Sequence, residues 1–300
     1  MKNPQVTPHG IYPMLYAFFN PKGSLDREAT RRQVRACVAN GAHGLAVLGL
    51  GTEVSKLADS ERRQLVDWVA EELAGRLPLA VTINAPTVEA QVEFARFARS
   101  RGASWVILQP PPERGVPESF FLRFFGAVAD QVEVPVAIQN APDYLGVGLT
   151  PAGVRSLARN HPNFCILKGE GPAIAIRQVI EHAGDAVSVF NGRGGLELTD
   201  NLRAGCAGMI PATDTFDWQA RIFELMRGGA EPEADALYRE VLPAIVFVMQ
   251  SLDTLHTYGK RIAAMRLGLG EVIDRAPAFR PSAYGLQCAQ RYASALGPLA

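Results

Sequence analysis

The chain has 300 residues, with 30 acidic and 30 basic side chains, 48% hydrophobic and 20% charged content. This is enough apolar material for one large buried core, and it argues against intrinsic disorder. The charge balance argues against nucleic acid or an anionic membrane as the main partner, because both favour a basic face.

The first ten residues lack the basic-then-apolar order of a signal peptide. Apolar runs then predict strands at residues 10–14, 44–49, 79–84, 104–109, 134–139, 164–168, 187–191 and 208–212. Each is near-continuously apolar and has the length of a buried parallel strand. None approaches the roughly 20 residues that span a bilayer. Helical periodicity lies between them, as at residues 26–40, with Ala29, Val34, Ala36 and Val38, and at 87–101, with Val92, Phe94, Phe97 and Ala98. Gly41, Gly102 and Gly205 each close a helical run shortly before an apolar one, where a left-handed backbone suits glycine. Eight strands alternating with helices predict an α/β fold, a (β/α)8 TIM barrel over residues 1–229. A doubly wound open sheet is the competing architecture, since alternation alone does not separate the two. Beyond Gly229 the alternation stops. Residues 230–251, 255–267 and 281–296 read as helices, with a proline-bearing linker at 275–281, and predict a C-terminal helical domain over 230–300. The apolar residues Ile245, Val246, Phe247, Val248 and Met249 run round their helix, so partial burial is expected there, with another subunit as one candidate cover.

The strand ends are polar: Asn84, Gln109, Gln139 with Asn140, Lys168 with Glu170, Asn191 with Arg193, and Thr213 with Asp214. Singly, such residues mark where a chain meets water. Six polar ends in register point to a site at the C-terminal end of a barrel. Lys168 shares a face with Phe164 and Ile166 by alternation. Desolvation there disfavours an ammonium and suits imine chemistry; a snorkelling lysine is the other reading. Glu170 lies two residues on and projects to the same face if the backbone stays extended; otherwise it starts the following helix at the surface. The turn Gly49-Leu50-Gly51-Thr52-Glu53 lets backbone approach a ligand, and its amides suit a carboxylate; an ordinary strand-to-helix turn reads the same way. It lacks the P-loop lysine and the GxGxxG spacing. The dispersed histidines (His9, His43, His161, His182, His256) read as ordinary surface or satisfied residues. Cys37, Cys165, Cys206 and Cys288 form no CxxC pair, which suggests neither a disulfide framework nor a zinc knuckle and fits a reduced, cytoplasmic setting.

Three stretches together carry a family resemblance: Gly49-Leu50-Gly51-Thr52-Glu53, Gln139-Asn140-Ala141-Pro142, and Ile166-Leu167-Lys168-Gly169-Glu170. With Gly205-Cys206-Ala207-Gly208-Met209-Ile210, the chain resembles the dihydrodipicolinate synthase / N-acetylneuraminate lyase family of class I aldolases over essentially its whole length. The resemblance implies a TIM barrel with a helical C-terminal domain, a homotetramer, and Lys168 as the Schiff-base lysine. Gln139 stands where the family usually has a tyrosine, and glutamine only hydrogen-bonds near neutral pH. Tyr144 or Leu145 stands near the place of an arginine that dihydrodipicolinate synthases use for a substrate carboxylate. Gln139 together with Lys-Gly-Glu is similar to the 2-keto-3-deoxy-L-arabinonate dehydratase branch. That likeness implies dehydration of a 2-keto-3-deoxy sugar acid to 2-ketoglutarate semialdehyde. Glu170 is expected to move protons, and Gln139, Asn191 and Arg193 to orient hydroxyls. Leu50, Gly51 and Thr52 are expected to hold the C1 carboxylate, with Ile210 at the substrate. No metal or organic cofactor is required, because the imine is the electron sink. A retro-aldolase or hydratase-aldolase releasing pyruvate, and a non-catalytic 2-keto-acid-binding homologue, are the alternatives.

Overall fold

The computed structural model describes residues 8–299. Eight strands form one parallel sheet: β1 (Gly10–Ile11), β2 (Leu45–Val47), β3 (Leu79–Ile83), β4 (Trp105–Leu108), β5 (Val136–Asn140), β6 (Phe164–Gly169), β7 (Ser188–Asn191) and β8 (Gly208–Met209). Each lies within or overlaps one of the predicted apolar runs. Strands β1 and β8 are shorter than expected because Pro13 and Pro211 have no N–H to offer a ladder.

The pairing order is β1-β8-β7-β6-β5-β4-β3-β2. The continuous ladder of the expected closed barrel therefore stops between β1 and β2. Beyond β1, Met14 makes isolated parallel bridges to Ala46 of β2 and to Ala212. The Leu15 N–H donates to the Ala46 carbonyl (2.9 Å), and the Ala46 N–H donates to the Pro13 carbonyl (3.0 Å).

Alternation along the strands splits the core in two. One face carries Tyr12, Met14, Ala46, Ala80, Trp105, Ile107, Ala137, Ile166, Phe190 and Ile210, which pack together as one buried cluster. The other face, with Leu45, Val81, Val106, Ile138, Leu167 and Val189, packs in the large outer core with the surrounding helices. Phe164 joins that outer core, not the face of Lys168 as alternation predicted. The register between β5 and β6 shifts at Val136/Ala137, leaving Cys165 as an extra residue, and this displaces Phe164 by one position.

The helices are α1 (Arg27–Ala39), α2 (Asp59–Leu73), α3 (Val88–Ser100), α4 (Glu118–Ala129), α5 (Pro142–Leu145), α6 (Pro151–Asn160), α7 (Ala173–Ala183), α8 (Leu198–Arg203), α9 (Phe216–Arg227), α10 (Glu231–Val248), α11 (Leu252–Thr254), α12 (Lys260–Arg266) and α13 (Ala283–Leu296). Sequence dictates several starts directly. Asp26 and Thr87 accept the backbone N–H groups of Ala29 and Ala90 and cap α1 and α3. The helix expected over 255–267 is divided into a π-helical turn, Leu255–Gly259, and α12. Such turns concentrate at functional sites.

The last four helices lie against the sheet unit of their own chain. Val241 and Ile245 enter the main core. Val248, Leu255, Ile262 and Ala289 pack with Tyr16, Phe18, Ala29 and Ala212. The burial expected of α10 is thus largely met within the chain, with Val246 left 41% exposed. Among the described residues no helix is long and apolar enough to cross a membrane.

Candidate active site

On three neighbouring strands, β4, β5 and β6, the inner face turns polar at its carboxyl end. Ile107 is followed two residues on by Gln109, Ala137 by Gln139, and Ile166 by Lys168 and then Glu170. In register, Gln139 lies beside Lys168, and Lys168 beside Phe190. The extended backbone continues past β6: the Glu170 N–H donates to the Asn140 carbonyl (3.0 Å), and the Gly192 N–H to the Gly169 carbonyl (2.7 Å). Glu170 therefore stays on the face of Lys168, and the surface alternative does not apply.

These side chains form one connected array. Lys168 Nζ lies 2.7 Å from Glu170 Oε1, and both residues are only 4% exposed. Gln139 Nε2 donates to the same Oε1 at 2.5 Å. Gln109 Nε2 donates to Gln139 Oε1 (2.8 Å), and Asn84 Nδ2 donates to Gln109 Oε1 (2.5 Å). Every amide in the row donates toward the carboxylate. A buried carboxylate needs such partners, because unpaired it is costly in low dielectric. Asn84 and Gln109 were legible as polar strand ends, with no link to Gln139; here they fix its orientation.

Gly192 makes room for this pair. A Cβ there would stand 2.7 Å from Lys168 Cε and 2.8 Å from Glu170 Cγ, closer than real contacts. Gly192→Ala is expected to displace both groups and lower kcat about 100-fold, the scale of an ångström misplacement. Steady-state kinetics beside a thermal melt checks this; an unchanged kcat would show that the pair tolerates displacement.

A small cavity of about 30 Å³ opens onto Lys168 and Glu170. Its walls are apolar side chains and glycines apart from Tyr144, Lys168 and Glu170. Leu50, Gly51 and Ile210, expected at the substrate, do line it, and Met249, Leu252 and Leu255 roof it. Ligand pockets typically span about 300 Å³ or more, so the cavity as it stands is smaller than a sugar acid needs. The roof comes from the C-terminal helices, whose part in the site alternation could not reveal. His256 Nε2, 2.8 Å from the Leu50 carbonyl, ties roof to loop.

The glycine loop is built differently from its sequence reading. Residues Leu50–Thr52 form a single 3-10 turn. A Cβ at Gly49 would lie 2.4 Å from Met14 Cε, so this glycine admits Met14. Thr52 is fully buried and donates its hydroxyl to the Leu15 carbonyl (2.7 Å), while its N–H donates to the Gly49 carbonyl (3.1 Å). It is not part of the cavity wall. Glu53 next to it forms a buried ion pair with Lys260 and a second with Lys56, fastening the loop to α12. Burial alone would raise the Glu53 pKa, but the two lysines hold it below the ordinary carboxylate value. Glu53→Gln leaves Lys260 buried without its counter-charge and is expected to cost about 3–5 kcal/mol of stability. A carboxylate with a depressed folded-state pKa stabilises above its unfolded pKa. That stabilisation is lost as pH falls from about 4.5 through the folded value. Chemical denaturation of wild type and variant across that range checks it; equal stability at neutral pH would contradict the assignment.

Asn191 and Arg193 lie outside the cavity wall. Asn191 is fully buried, and its amide donates to the Gly171 carbonyl and Asn201 Oδ1, both at 2.8 Å. Its oxygen accepts the Arg193 N–H. Arg193 pairs with Glu197 (3.2 Å) and faces Tyr144. Asn140 braces the loop carrying Tyr144: its side chain donates to the Leu149 carbonyl (3.0 Å) and accepts the Leu149 N–H (2.7 Å). Among the described residues no group of three or more His, Cys, Asp or Glu is arranged to hold a metal ion.

Residues 7–272 match the dihydrodipicolinate synthetase family. The chain belongs to that family. It is accordingly an enzyme of the class I Schiff-base superfamily, a lyase of the hydro-lyase or aldolase kind. L-2-keto-3-deoxyarabonate dehydratase of Azospirillum brasilense is 29% identical over 242 residues, 79% of this chain and 78% of that protein. A 4-hydroxy-tetrahydrodipicolinate synthase of Thermus thermophilus is 32% identical over 194 residues, 64% of each chain. The crystal structure of YagE, a prophage protein of the dihydrodipicolinic acid synthase family from Escherichia coli K12, was solved with pyruvate. It superposes with a TM-score of 0.90 at 22% identity, covering 97% of this chain and 99% of that one, a likeness of fold. Dihydrodipicolinate synthetase family members thus share the frame of this chain while their names differ in reaction.

Proposed function

We propose that this family member dehydrates a 2-keto-3-deoxy sugar acid, 2-keto-3-deoxy-L-arabinonate, to 2-ketoglutarate semialdehyde through a Schiff base on Lys168. The observation that carries this reading is Glu170, held 2.7 Å from Lys168 Nζ and bonded to Gln139. Gln139 has no proton to exchange near neutral pH, so proton transfer beside the imine falls to the carboxylate. The dehydratase relative from Azospirillum brasilense supports the choice of substrate.

The Lys168 ammonium releases a proton to solvent, and the free amine attacks the C2 ketone. The carbinolamine takes a proton back as its C2 oxygen leaves as water, with Glu170 still ionised. The resulting iminium draws electrons from C3, and Glu170 removes the C3 proton to give an enamine. The enamine expels the C4 hydroxyl, which leaves protonated as water. Leu50 and Gly51 face the C1 carboxylate, with Ile210 against the carbon chain. In this reading Thr52 and Asn191 brace the loops, and Arg193 acts through Tyr144. We read the bridges at Met14 as closure of a (β/α)8 barrel, with residues 1–229 the catalytic unit and 230–300 the helical unit that roofs it.

Product analysis with 2-keto-3-deoxy-L-arabinonate tests the reading. Semialdehyde without pyruvate supports it. Pyruvate with glycolaldehyde would make the enzyme a retro-aldolase, and binding without adduct or product would make the chain a binding homologue.

A further inference from the structure

We infer that Tyr144 is the second proton-carrying group of this site, the acid that protonates the C4 hydroxyl as it leaves; this rests on the dehydratase reading above. Elimination needs two proton transfers at neighbouring carbons: one proton leaves C3, and one joins the departing oxygen on C4. Three residues of the cavity wall carry dissociable protons: Lys168, Glu170 and Tyr144. In the reaction Lys168 is the imine nitrogen, and Glu170 takes the C3 proton. Tyr144 is the group left to serve C4.

The fold holds Tyr144 for this. It sits on α5, one short turn after β5, with Pro142 at the first helical position and Gly146 closing the turn at φ +70°. The two Asn140–Leu149 hydrogen bonds close the loop around it. Tyr144 shares the cavity wall with Glu170, and the charges of Glu170, Arg193 and Asp143 act on its hydroxyl. Burial, and after it the Glu170 charge, raise the Tyr144 pKa above the ordinary phenol value, so the group is protonated at neutral pH. Arg193 is placed to stabilise the phenolate formed when the proton leaves.

The steps balance. Glu170 takes the C3 proton, and the enamine electrons form C3=C4 as the C4–O bond breaks. Tyr144 gives its proton to that oxygen, releasing water and leaving a phenolate. The phenolate recovers a proton from C5 of the unsaturated iminium, giving a dienamine, and Glu170 returns its proton to C3. The remaining enol tautomerises to the aldehyde, and water hydrolyses the imine.

The test uses the full chain with Tyr144→Phe and three readouts. These are borohydride trapping of pyruvate on Lys168, exchange of the pyruvate C3 hydrogens in D₂O, and dehydration of 2-keto-3-deoxy-L-arabinonate. Trapping and exchange need no leaving group, so both should persist at the wild-type level. The dehydration kcat should fall about 100-fold or more, with KM little changed. Dehydration near the wild-type rate would overturn the assignment. Loss of exchange together with dehydration would also overturn it, placing Tyr144 at C3 or in the scaffold. Wild-type enzyme that neither traps nor dehydrates would refute the Schiff-base reading itself, and this inference with it.

Discussion

Lys168→Ala enzyme is expected to form no adduct with any 2-keto acid under borohydride and to show no turnover above background. Lys168 is the one amine in the wall of the cavity, and nothing else there can become an imine. The variant also leaves Glu170 buried without its cation, a change that costs about 3–5 kcal/mol when a buried pair is broken. Thermal melts must therefore accompany the assay. A folded variant that still traps pyruvate or turns over would place the imine on another lysine and refute the site.

Glu170→Gln is expected to separate binding from chemistry. Glutamine fills the same space and still bonds to Lys168 and Gln139, but it carries no exchangeable charge. Imine formation, read by borohydride trapping at saturating pyruvate, should survive. Turnover and C3–H exchange should fall about 10²–10⁴-fold, the usual contribution of a positioned acid–base group. The same fall in both readouts is the diagnostic point, because a residue serving only the departing hydroxyl would leave exchange intact. Unchanged turnover would show that another group carries the proton.

Much of this architecture was legible in the sequence for physical reasons. Buried parallel strands are near-continuous apolar runs, so all eight were found, and Ile166 shows the face of Lys168. Phe164 was misplaced because the extra residue at Cys165 breaks the alternation, a detail of pairing with β5. The direction of Glu170 depends on whether the chain stays extended past Gly169. That is decided by hydrogen bonds to Asn140 of β5 and to Gly192 just past β7. Thr52 and Asn191 carry groups suited to a ligand, yet each is occupied by the fold: Leu15, Gly171 and Asn201 take them, and local sequence does not show those contacts. The roof of Met249, Leu252 and Leu255 was not legible: Met249 was read only as part of an apolar, partly buried helix, and an apolar helix does not say what it covers.

The most direct test is mass spectrometry of the intact protein and its peptides after borohydride treatment with 2-keto-3-deoxy-L-arabinonate. The account predicts one adduct, on the peptide bearing Lys168, with the mass of the sugar acid less one water beyond that lost in forming the imine. An adduct of pyruvate mass on that lysine, an adduct on a different lysine, or none with any 2-keto acid would contradict it.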